Sequence, residues 1–370
     1  MTQTDTQERF AQGCIVACRS GVSRRTFLKI AGSAGAAVAA PAVMIPGRVK
    51  AAASPLVVAL WGGAFSEAFK AAFLDPFAKE TGIETVVAGP PDFAKIRAMV
   101  RTRSVEWDLV VPLPIWQAVG EKDGLWEPVD YSIVDMTNVV PVAKREGGVG
   151  FDIISGGICW LETRNGGAGK HPETFTEFFN FEAIPGRRGL RPREFETLEL
   201  ALLADGVPPS QIYPLDVERA FRVLTRVKPR ISHWIEATQQ TISLVQQNEC
   251  DFTYTYNGRV FAARQGGIPM GFSLKQNINS MDYLCIIKGS KNKDAAMRFL
   301  AYMMRPERQA DFASRTAYAC TNTKALALLS PAVKEFLPKL DNPNSIYIDL
   351  EFWRDRHVEI EKRFKEWLLT

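Results

Sequence analysis

A tryptophan and two glycines, Trp61-Gly62-Gly63, stand where a predicted buried strand leads into a helix. The strand is the apolar run "PLVVALW", and open α/β sheets bind ligands outside the carboxyl ends of their strands. Glycine lets the backbone approach a ligand closely, and the free N–H groups at a helix start attract a carboxylate or phosphate. These residue types predict one wall of a site for a small ligand. A core position for Trp61 and a plain turn at the glycines are the alternatives.

No sequence pattern for catalysis accompanies this wall. The three histidines, His171, His233 and His357, lie in no motif that sets them beside a nucleophile or a further metal ligand. The sequence also contains no GxSxG, HExxH, Walker or GxGxxG motif. We therefore expect binding rather than catalysis, with no catalytic residue, no metal ion and no cofactor.

An alternating pattern of strands and helices must position this wall. After "PLVVALW" come a helix that stops at Gly82, a second strand "IETVVAG", a helix with Asp92 as its predicted N-cap, and a third strand "WDLVVPLP". The strands are continuously rather than alternately apolar, which is typical of a parallel sheet covered on both faces. The first part of the chain is therefore predicted to be an α/β lobe.

Two long strand-like segments interrupt this pattern and predict a second lobe between them. "VGFDII" and "GICWLETR" meet at Ser155–Gly157, and the second segment, "PMGFSLKQNINSMDYLCIIKGS", includes residues 276–280. Between the two segments, helices are followed by a short strand over 251–256, a turn at Asn257-Gly258 and another helix. Because the chain leaves one lobe, builds another and returns, we expect a ligand cleft between lobes, with the two crossing segments as hinges.

The domain boundaries are predicted from these crossings. After a leader over residues 1–53, about 317 residues remain, more than the ~250 to 300 at which a single core tends to split. We assign residues 54–155 and 282–322 to the first lobe, and residues 156–281 and 323–370 to the second lobe.

The leader is indicated by the stretch "SRRTFLK". Its paired Arg24 and Arg25 resemble the twin-arginine consensus, which directs folded proteins to the twin-arginine translocase. The small-residue run over 30–45 is too short to span a bilayer, which takes roughly 20 strongly apolar residues, and Ala51–Ala53 matches a cleavage site. We expect a periplasmic protein that begins near Ser54.

Removal of the leader changes the net charge. Residues 1–53 contain seven Lys or Arg and two Asp or Glu, so the formal net charge of +4 falls to about −1. The basic balance of the full chain is therefore no evidence for nucleic acid or acidic lipid as a partner. Four cysteines remain after the leader, have no CxxC spacing and are predicted to be buried free thiols: Cys159, Cys250, Cys285 and Cys320.

Five segments, in this order along the chain, resemble one protein family. They are "ALWGGAF…FLDPFAKETGI", "WDLVVPLP", "DFTYTYNGRVFAARQGG", "SMDYLCIIKGSKNKDAAMRFLAYMMRPERQADFA" and "TAYACTNTKALALLSPAV". Together they resemble the extracellular solute-binding proteins of ABC transporters, specifically the spermidine/putrescine-binding group. The resemblance implies a two-lobed α/β fold, the type II periplasmic binding protein fold, with mostly parallel sheets and interlobe hinge crossings. It also implies a monomer that closes over its ligand and docks on an inner-membrane ABC permease.

The same resemblance implies a set of ligand contacts. Trp61 and Tyr256 match aromatic walls, and a cation over an aromatic face gains about 0.5 to 2 kcal/mol. Asp282 matches the carboxylate that pairs with an ammonium, and Tyr318 matches a pocket tyrosine near the last crossing. The full set of expected ligand-binding residues is Trp61, Gly62, Gly63, Arg193, Glu196, Tyr256, Asn257, Asp282 and Tyr318.

Departures from the family pattern bear on the identity of the ligand. Ser280 replaces a second tryptophan, residues 113–116 lack a pocket tyrosine, and an acidic pair becomes Arg193 and Glu196. A long dication needs carboxylates at both ends. An ω-amino acid would instead place its amine at Asp282 and its carboxylate at Arg193 or at the glycine-rich helix start. The expected cargo is a small amine or zwitterion, either a polyamine or an ω-amino acid such as 4-aminobutyrate.

Two alternatives remain open. The first is a receptor of the Fe(III)-binding or thiamine-binding type. Tyr254 and Tyr256 are the tyrosines available to iron, and we expect them to point to opposite faces of their strand, which disfavours a shared metal. The second is a cofactor-biosynthesis enzyme on the same two-lobed scaffold, which would need a nucleophile or a bound cofactor.

Overall fold

The computed structural model describes residues 54–167 and 170–370, so the predicted leader lies outside the described residues. The described residues form twelve strands, β1–β12: Leu56–Ala59, Thr85–Ala88, Leu109–Val110, Lys144–Arg145, Gly148–Leu161, Arg188–Leu190, Ile231–Trp234, Phe252–Tyr256, Met270–Phe272, Ile278–Ile286, Ala319–Cys320 and Ile346–Tyr347. They also form α-helices α1–α14: Gly63–Phe69, Asp75–Thr81, Phe93–Thr102, Pro114–Lys122, Glu162–Asn165, Phe175–Phe178, Glu194–Ala204, Val217–Val227, Gln240–Gln246, Asn257–Gln265, Lys293–Met303, Pro306–Thr316, Pro331–Phe336 and Leu350–Leu369. A π-helical segment, Lys70–Leu74, joins α1 to α2. None of the helices in this described part is long and apolar enough to cross a membrane.

The first βαβαβ unit forms as predicted. Strand β1 pairs in parallel with both β2 and β3. Helix α2 ends at Gly82, which adopts the left-handed conformation with φ 71° that only glycine takes up without strain. Helix α3 begins at Asp92, whose side chain accepts a hydrogen bond from the backbone N–H of Lys95 at 2.8 Å. Together these elements place Trp61 at the carboxyl end of β1.

Strand β2 departs from the expectation that all three strands are covered on both faces. Val86 and Val87 are 47% and 38% exposed. The sheet order is β2-β1-β3-β10-β5-β8-β6-β7, which makes β2 the edge strand. Because consecutive side chains of a strand point to opposite faces, both faces of β2 are partly open. The continuous apolar run therefore predicted the existence of β2 correctly, but the predicted burial of both faces was wrong for this strand.

The two crossing segments form one antiparallel ribbon through the centre of the sheet. The segment around Ser155–Gly157 is not a break between two strands, as the sequence indicated, because β5 runs without interruption over 14 residues. It pairs with β10 from Ile278 opposite Gly156 to Leu284 opposite Val149.

The glycines of this ribbon are explained by close packing. A Cβ on Gly156 would lie 1.7 Å from the hydroxyl of Tyr254, and one on Gly157 would lie 2.6 Å from the amide nitrogen of Asn277. No larger residue fits at either position without displacing these side chains.

Two large apolar cores flank this ribbon. One is built around β1, α1 and α12 and includes Phe69, Phe73 and Phe312. The other is built around α7, α8 and the C-terminal helix α14 and includes Leu224 and Trp353. The two cores accord with the two-lobed architecture, while the assignment of particular residue ranges to each lobe stays a prediction.

Two local predictions have clear outcomes. Asn257 does not form a turn, since α10 begins at this residue directly after β8. The four cysteines at positions 159, 250, 285 and 320 are free and buried, which confirms the prediction made for them.

Candidate functional site

A cavity of about 280 Å³ opens where the carboxyl end of β1 faces the start of α7 across the central ribbon. Strands β5 and β10 supply its floor through Ile154, Ser280 and Asp282. The cavity brings together six of the predicted residues: Trp61, Arg193, Glu196, Tyr256, Asp282 and Tyr318. These six are among seventeen residues that line the cavity, and they come from positions up to more than 200 residues apart along the chain.

One wall of the cavity is aromatic. The ring centroids of Trp61 and Trp116 lie 5.9 Å apart at an interplanar angle of 40°. Trp116 is itself stacked on Phe93, with centroids 5.3 Å apart and planes within 11° of parallel. Leu113 and Pro114, at the start of α4, complete this wall. Such a surface can cover the methylene groups of a ligand and can also stabilise a cation over a ring face.

The opposite wall is a cluster of Arg193, Glu196 and Tyr256. The Tyr256 hydroxyl donates to the Glu196 carboxylate at 2.9 Å, and the Nε of Arg193 lies 3.3 Å from the same carboxylate oxygen. A further Arg193 nitrogen donates to the Tyr256 hydroxyl. Burial opposes the charge of Arg193, but its neighbours Tyr256 and Glu196 outweigh that effect and raise its pKa. The cluster is therefore internally neutralised.

Glu196 holds this cluster in an unusual backbone conformation. Its φ is 65° and its ψ −43°, inside a segment that otherwise begins helix α7. A non-glycine residue in such a sparsely populated region costs of the order of 1 to 3 kcal/mol, and such residues concentrate at ligand sites. The hydroxyl of Thr197 donates to the Arg191 carbonyl at 3.0 Å and helps to hold the turn.

Asp282 is an acidic residue of the floor whose side chain has no hydrogen-bond or ion-pair partner among residues 54–167 and 170–370. Its side chain is almost entirely buried, at 7% exposure for the residue. Burial raises its pKa to about 7; the charge of Arg259 acts in the opposite direction, and that of Glu196 adds to the rise. Asp152, directly opposite on β5, is also buried, and burial followed by the charge of Asp282 raises its pKa well above the usual value. The floor can thus offer a carboxylate to a cation, and the two carboxyls oppose each other's ionisation.

Sequence reasoning missed two arginines of the pocket, Arg191 and Arg259. Arg191 donates one hydrogen bond, to the hydroxyl of Thr238 at 3.1 Å, while its buried Nε has no partner in the described part of the chain. Burial, followed by the nearby charge of Arg193, lowers its pKa to about 10. The buried Nε of Arg259 likewise has no partner there. Arg259 could have been found from its place in the first turn of the helix after Tyr256, whereas no motif signals Arg191.

The cavity lining does not include three of the predicted residues. The N–H of Gly62 donates to the hydroxyl of Ser66 at 2.8 Å, and Gly62 and Gly63 both have positive φ, so a turn accounts for these glycines. Asn257 is fully buried; its amide oxygen accepts the N–H of Ser155 at 3.2 Å, and its amide nitrogen donates to a backbone carbonyl at 2.6 Å. Asn257 therefore links β5 of the central ribbon to the backbone at Ala317, which follows helix α12.

The expected orientation of Tyr254 and Tyr256 was wrong. Residues two apart on a strand share a face, and the two ring centroids lie 6.3 Å apart. The hydroxyl of Tyr256 donates to the carboxylate of Glu196 at 2.9 Å. In residues 54–167 and 170–370, no three His, Cys, Asp or Glu side chains are grouped as they would be around a metal ion.

Comparisons with known proteins identify the family of this chain. Residues 72–338 match the family model of the bacterial extracellular solute-binding protein, and residues 21–41 match that of the twin-arginine translocation pathway signal sequence. The chain is 33% identical over 330 residues to the gamma-aminobutyric acid-binding protein of Pseudomonas aeruginosa, covering 86% of this chain and 92% of that protein. It is 25% identical to the spermidine/putrescine-binding periplasmic protein of Escherichia coli, covering 75% and 80% of the two chains.

A solved structure described as that of a GABA receptor has the same fold. It superimposes with a TM-score of 0.78 at 34% identity and covers 85% of this chain and 97% of that one. The predicted family, fold class and export route are thereby confirmed. The chain belongs to the bacterial extracellular solute-binding protein family and is a periplasmic receptor exported through the twin-arginine pathway.

Proposed function

We propose that this receptor captures a zwitterionic ω-amino acid, such as 4-aminobutyrate, and delivers it to an inner-membrane ABC permease. The ligand's ammonium pairs with Asp282 and its carboxylate with Arg191. One observation carries this proposal: an acidic and a basic side chain, Asp282 and Arg191, line the same cavity, and neither forms an ion pair with a residue in the described part of the chain. A buried charge is stabilised only by an opposite charge or by hydrogen bonds, and a zwitterion supplies both opposite charges at once.

The proposal assigns the ligand's carboxylate to Arg191 rather than to Arg193. The guanidinium of Arg193 already donates a hydrogen bond to Tyr256, and its Nε lies 3.3 Å from a carboxylate oxygen of Glu196 without a hydrogen bond of its own in the described residues. Among the residues that the structure describes, Arg191 has only the hydroxyl of Thr238 as a side-chain partner. A planar guanidinium with free N–H groups suits bidentate binding of a carboxylate.

The charge balance of the cavity disfavours a polyamine. Three guanidinium groups line it, those of Arg191, Arg193 and Arg259, against the carboxylates of Glu196 and Asp282. A diammonium ligand would bring its second cation close to unpaired positive charge, which costs free energy in a site with little water. The relatives named for gamma-aminobutyric acid, at 33% and 34% identity, are also more similar to this chain than the spermidine/putrescine relative at 25%.

The mechanism we propose is closure of two lobes over the ligand, with the segments Ser155–Gly157 and Gln276–Ser280 as hinges. The lobes comprise residues 54–155 with 282–322 and residues 156–281 with 323–370. The ligand favours the closed form only to the extent that it binds this form more tightly than the open one. The receptor acts as a monomer, presents its closed form to the permease and leaves its cargo chemically unchanged.

Ligand truncation tests this function. Calorimetry would compare 4-aminobutyrate with butyrate, which lacks the amine, with butylamine, which lacks the carboxylate, and with putrescine. We expect 4-aminobutyrate to bind at least tenfold more tightly than each of the other three. Equal or tighter binding of putrescine would overturn the zwitterion assignment.

Two further measurements address the mechanism. Mass spectrometry of the compound that copurifies with the gently isolated protein should recover an ω-amino acid of unchanged mass after incubation, and a transformed product would favour an enzyme. Small-angle scattering should show a smaller radius of gyration with ligand, and identical radii would contradict closure.

A further inference from the structure

A second cavity of about 280 Å³ adjoins the ligand pocket. The two cavities share four lining residues, Phe65, Gln239, Arg259 and Tyr318. A Cβ on Gly63 would lie 3.4 Å from the amide nitrogen of Gln239 and 3.9 Å from a terminal nitrogen of Arg259. The residues that border both cavities thus comprise two long polar side chains and two aromatic rings.

The chemistry of the second cavity differs from that of the pocket. Its walls come mainly from α9 and α10 and include Ile242, Ala262 and Ala263, with neutral polar groups such as Ser243. At its rim Arg315 is paired with Asp311 at 2.9 Å. Apart from the shared Arg259, this cavity therefore offers no uncompensated charge to a ligand.

The amine end of the proposed ligand lies next to this second cavity. Asp282, Arg259 and Tyr318 line the pocket together, and the charge of Arg259 acts directly on the Asp282 carboxyl. Arg259 and Tyr318 are also the residues that border the second cavity. Neither Asp282 nor Arg191 lines the second cavity itself, but of the two only Asp282 has the bordering Arg259 among the charges that act on it. A substituent that extends from the bound ligand into the second cavity would therefore be attached to the ligand's nitrogen.

We propose that the second cavity is a subsite for a neutral, largely apolar substituent on the ligand's amine, so that the receptor also binds ω-amino acids whose nitrogen is a secondary amine. This inference rests on the proposed function and names a wider substrate class for the same site. A secondary amine keeps the positive charge that Asp282 requires, whereas an amide nitrogen does not. The cavity's aliphatic walls would bury an alkyl chain with little desolvation of polar groups, and each methylene buried in full strengthens binding about fourfold.

The experiment compares 4-aminobutyrate with 4-(butylamino)butyrate by calorimetry. The wild-type protein should bind the N-butyl compound at least tenfold more tightly than the parent. Ala262→Phe and Ser243→Phe each fill the second cavity from a different helix and leave the residues of the pocket in place. Both variants should weaken the N-butyl compound at least tenfold while changing the affinity for 4-aminobutyrate less than twofold.

A matched control separates the charge from the substituent. 4-(Butanoylamino)butyrate has a similar chain on a neutral amide nitrogen, and it should bind neither the wild type nor the variants. If 4-aminobutyrate binds and the N-butyl compound does not, the subsite is refuted while the proposed function stands. Unchanged N-butyl affinity in both filled variants also overturns the subsite. If 4-aminobutyrate itself does not bind the wild type, the proposed function fails instead.

Discussion

The two walls of the ligand pocket are built in different ways. The wall formed by Trp61, Leu113 and Trp116 is uncharged and follows directly from regular strand ends and helix starts. The wall formed by Arg191 and the cluster of Arg193 and Glu196 depends on an irregular turn with a positive φ at Glu196. Regular structure thus supplies the apolar surface, and locally strained structure supplies the charged one.

This difference assigns different tasks to the two walls. An aromatic surface contacts any hydrocarbon chain or cation of suitable size and discriminates little between ligands. Fixed charges in a site with little water favour one arrangement of opposite charges and penalise others by several kcal/mol. We therefore expect selectivity to depend on the charged wall and on Asp282, and the aromatic wall to add a smaller and less selective share of the affinity.

The largest effect is expected from Asp282→Asn. This variant keeps the shape of the floor but removes the charge that faces the ligand's ammonium, and a charge-assisted bond contributes about 1.5 to 3 kcal/mol. Affinity for 4-aminobutyrate measured by calorimetry should fall roughly tenfold to a few hundredfold, because the buried ammonium loses its partner. The melting temperature of the empty protein should not decrease. An affinity within twofold of wild type would remove Asp282 from the site.

A comparable but smaller effect is expected within the charged wall. Arg191→Gln should weaken binding of 4-aminobutyrate about tenfold to a hundredfold, and Arg191→Lys should weaken it less, since lysine keeps the charge without the bidentate geometry. Arg193→Gln is the matched control, because it leaves Glu196 buried without its cation and should lower the melting temperature of the empty protein. Arg191→Gln should not lower it. If Arg193→Gln instead weakened binding and Arg191→Gln lowered the melting temperature, Arg193 rather than Arg191 would be the partner of the ligand's carboxylate.

The pH dependence should show an effect of about tenfold. The pKa of Asp282 is about 7 in the folded, empty protein, against an ordinary value of 3.8. Below pH 7 the carboxyl is increasingly neutral, so a bound ammonium must displace a proton, and affinity should be about tenfold weaker at pH 6 than on the plateau above pH 8. Calorimetry of Asp282→Asn should show a much flatter profile. Equal affinity of the wild-type protein at pH 6 and pH 8 would contradict control of binding by the ionisation of Asp282.

Ionisation of Asp282 should also lower the free energy of unfolding of the empty protein as the pH rises. Because folding raises this pKa, the contribution of Asp282 to the free energy of unfolding is complete below about pH 4 and is lost as the pH rises through 7. Glu199, whose pKa burial raises to about 7, acts in the same direction. The difference in melting temperature of the empty protein between pH 6 and pH 8 should therefore shrink in Asp282→Asn without disappearing.

The smallest effect is expected from the aromatic wall. Trp61→Phe keeps an aromatic face but a smaller one, and Trp116 remains stacked on Phe93 behind it. Affinity should fall about two- to fivefold, a part of the 0.5 to 2 kcal/mol typical of a cation over a ring. Trp234→Phe, outside the pocket, serves as the control and should leave affinity unchanged. A loss for Trp61→Phe as large as that for Asp282→Asn would reverse the proposed division between the walls.

The sequence was sufficient for the elements that repeat a regular pattern. Apolar runs and helical spacing located β1, β2 and β3, and capping chemistry located the start of α3 at Asp92 and the end of α2 at Gly82. The crossing strands were found as well, although the glycines at 156 and 157 were taken for a break in β5. Close packing against Tyr254 and Asn277 produces the same glycines without ending the strand.

The charged wall could be predicted only in part. Arg193 and Glu196 were found through the family pattern, but the pattern does not show that the two neutralise each other. That pairing depends on the positive φ of Glu196, for which no glycine or asparagine in the sequence gives a signal. Arg191 was missed because its role depends on which neighbouring arginine already has a partner, and this is a property of three-dimensional contacts.

The four buried thiols have a consequence for the protein's passage between compartments. Burial raises the pKa of Cys159 to about 12 and that of Cys250 to about 11, so almost none of either is thiolate, the reactive form. A protein carrying a twin-arginine signal completes its fold in the reducing cytoplasm and then enters an oxidising space. Its cysteines arrive already enclosed, so neither a disulfide-forming enzyme nor a maleimide reagent should modify them while the native structure persists. The fold itself protects these thiols from oxidation.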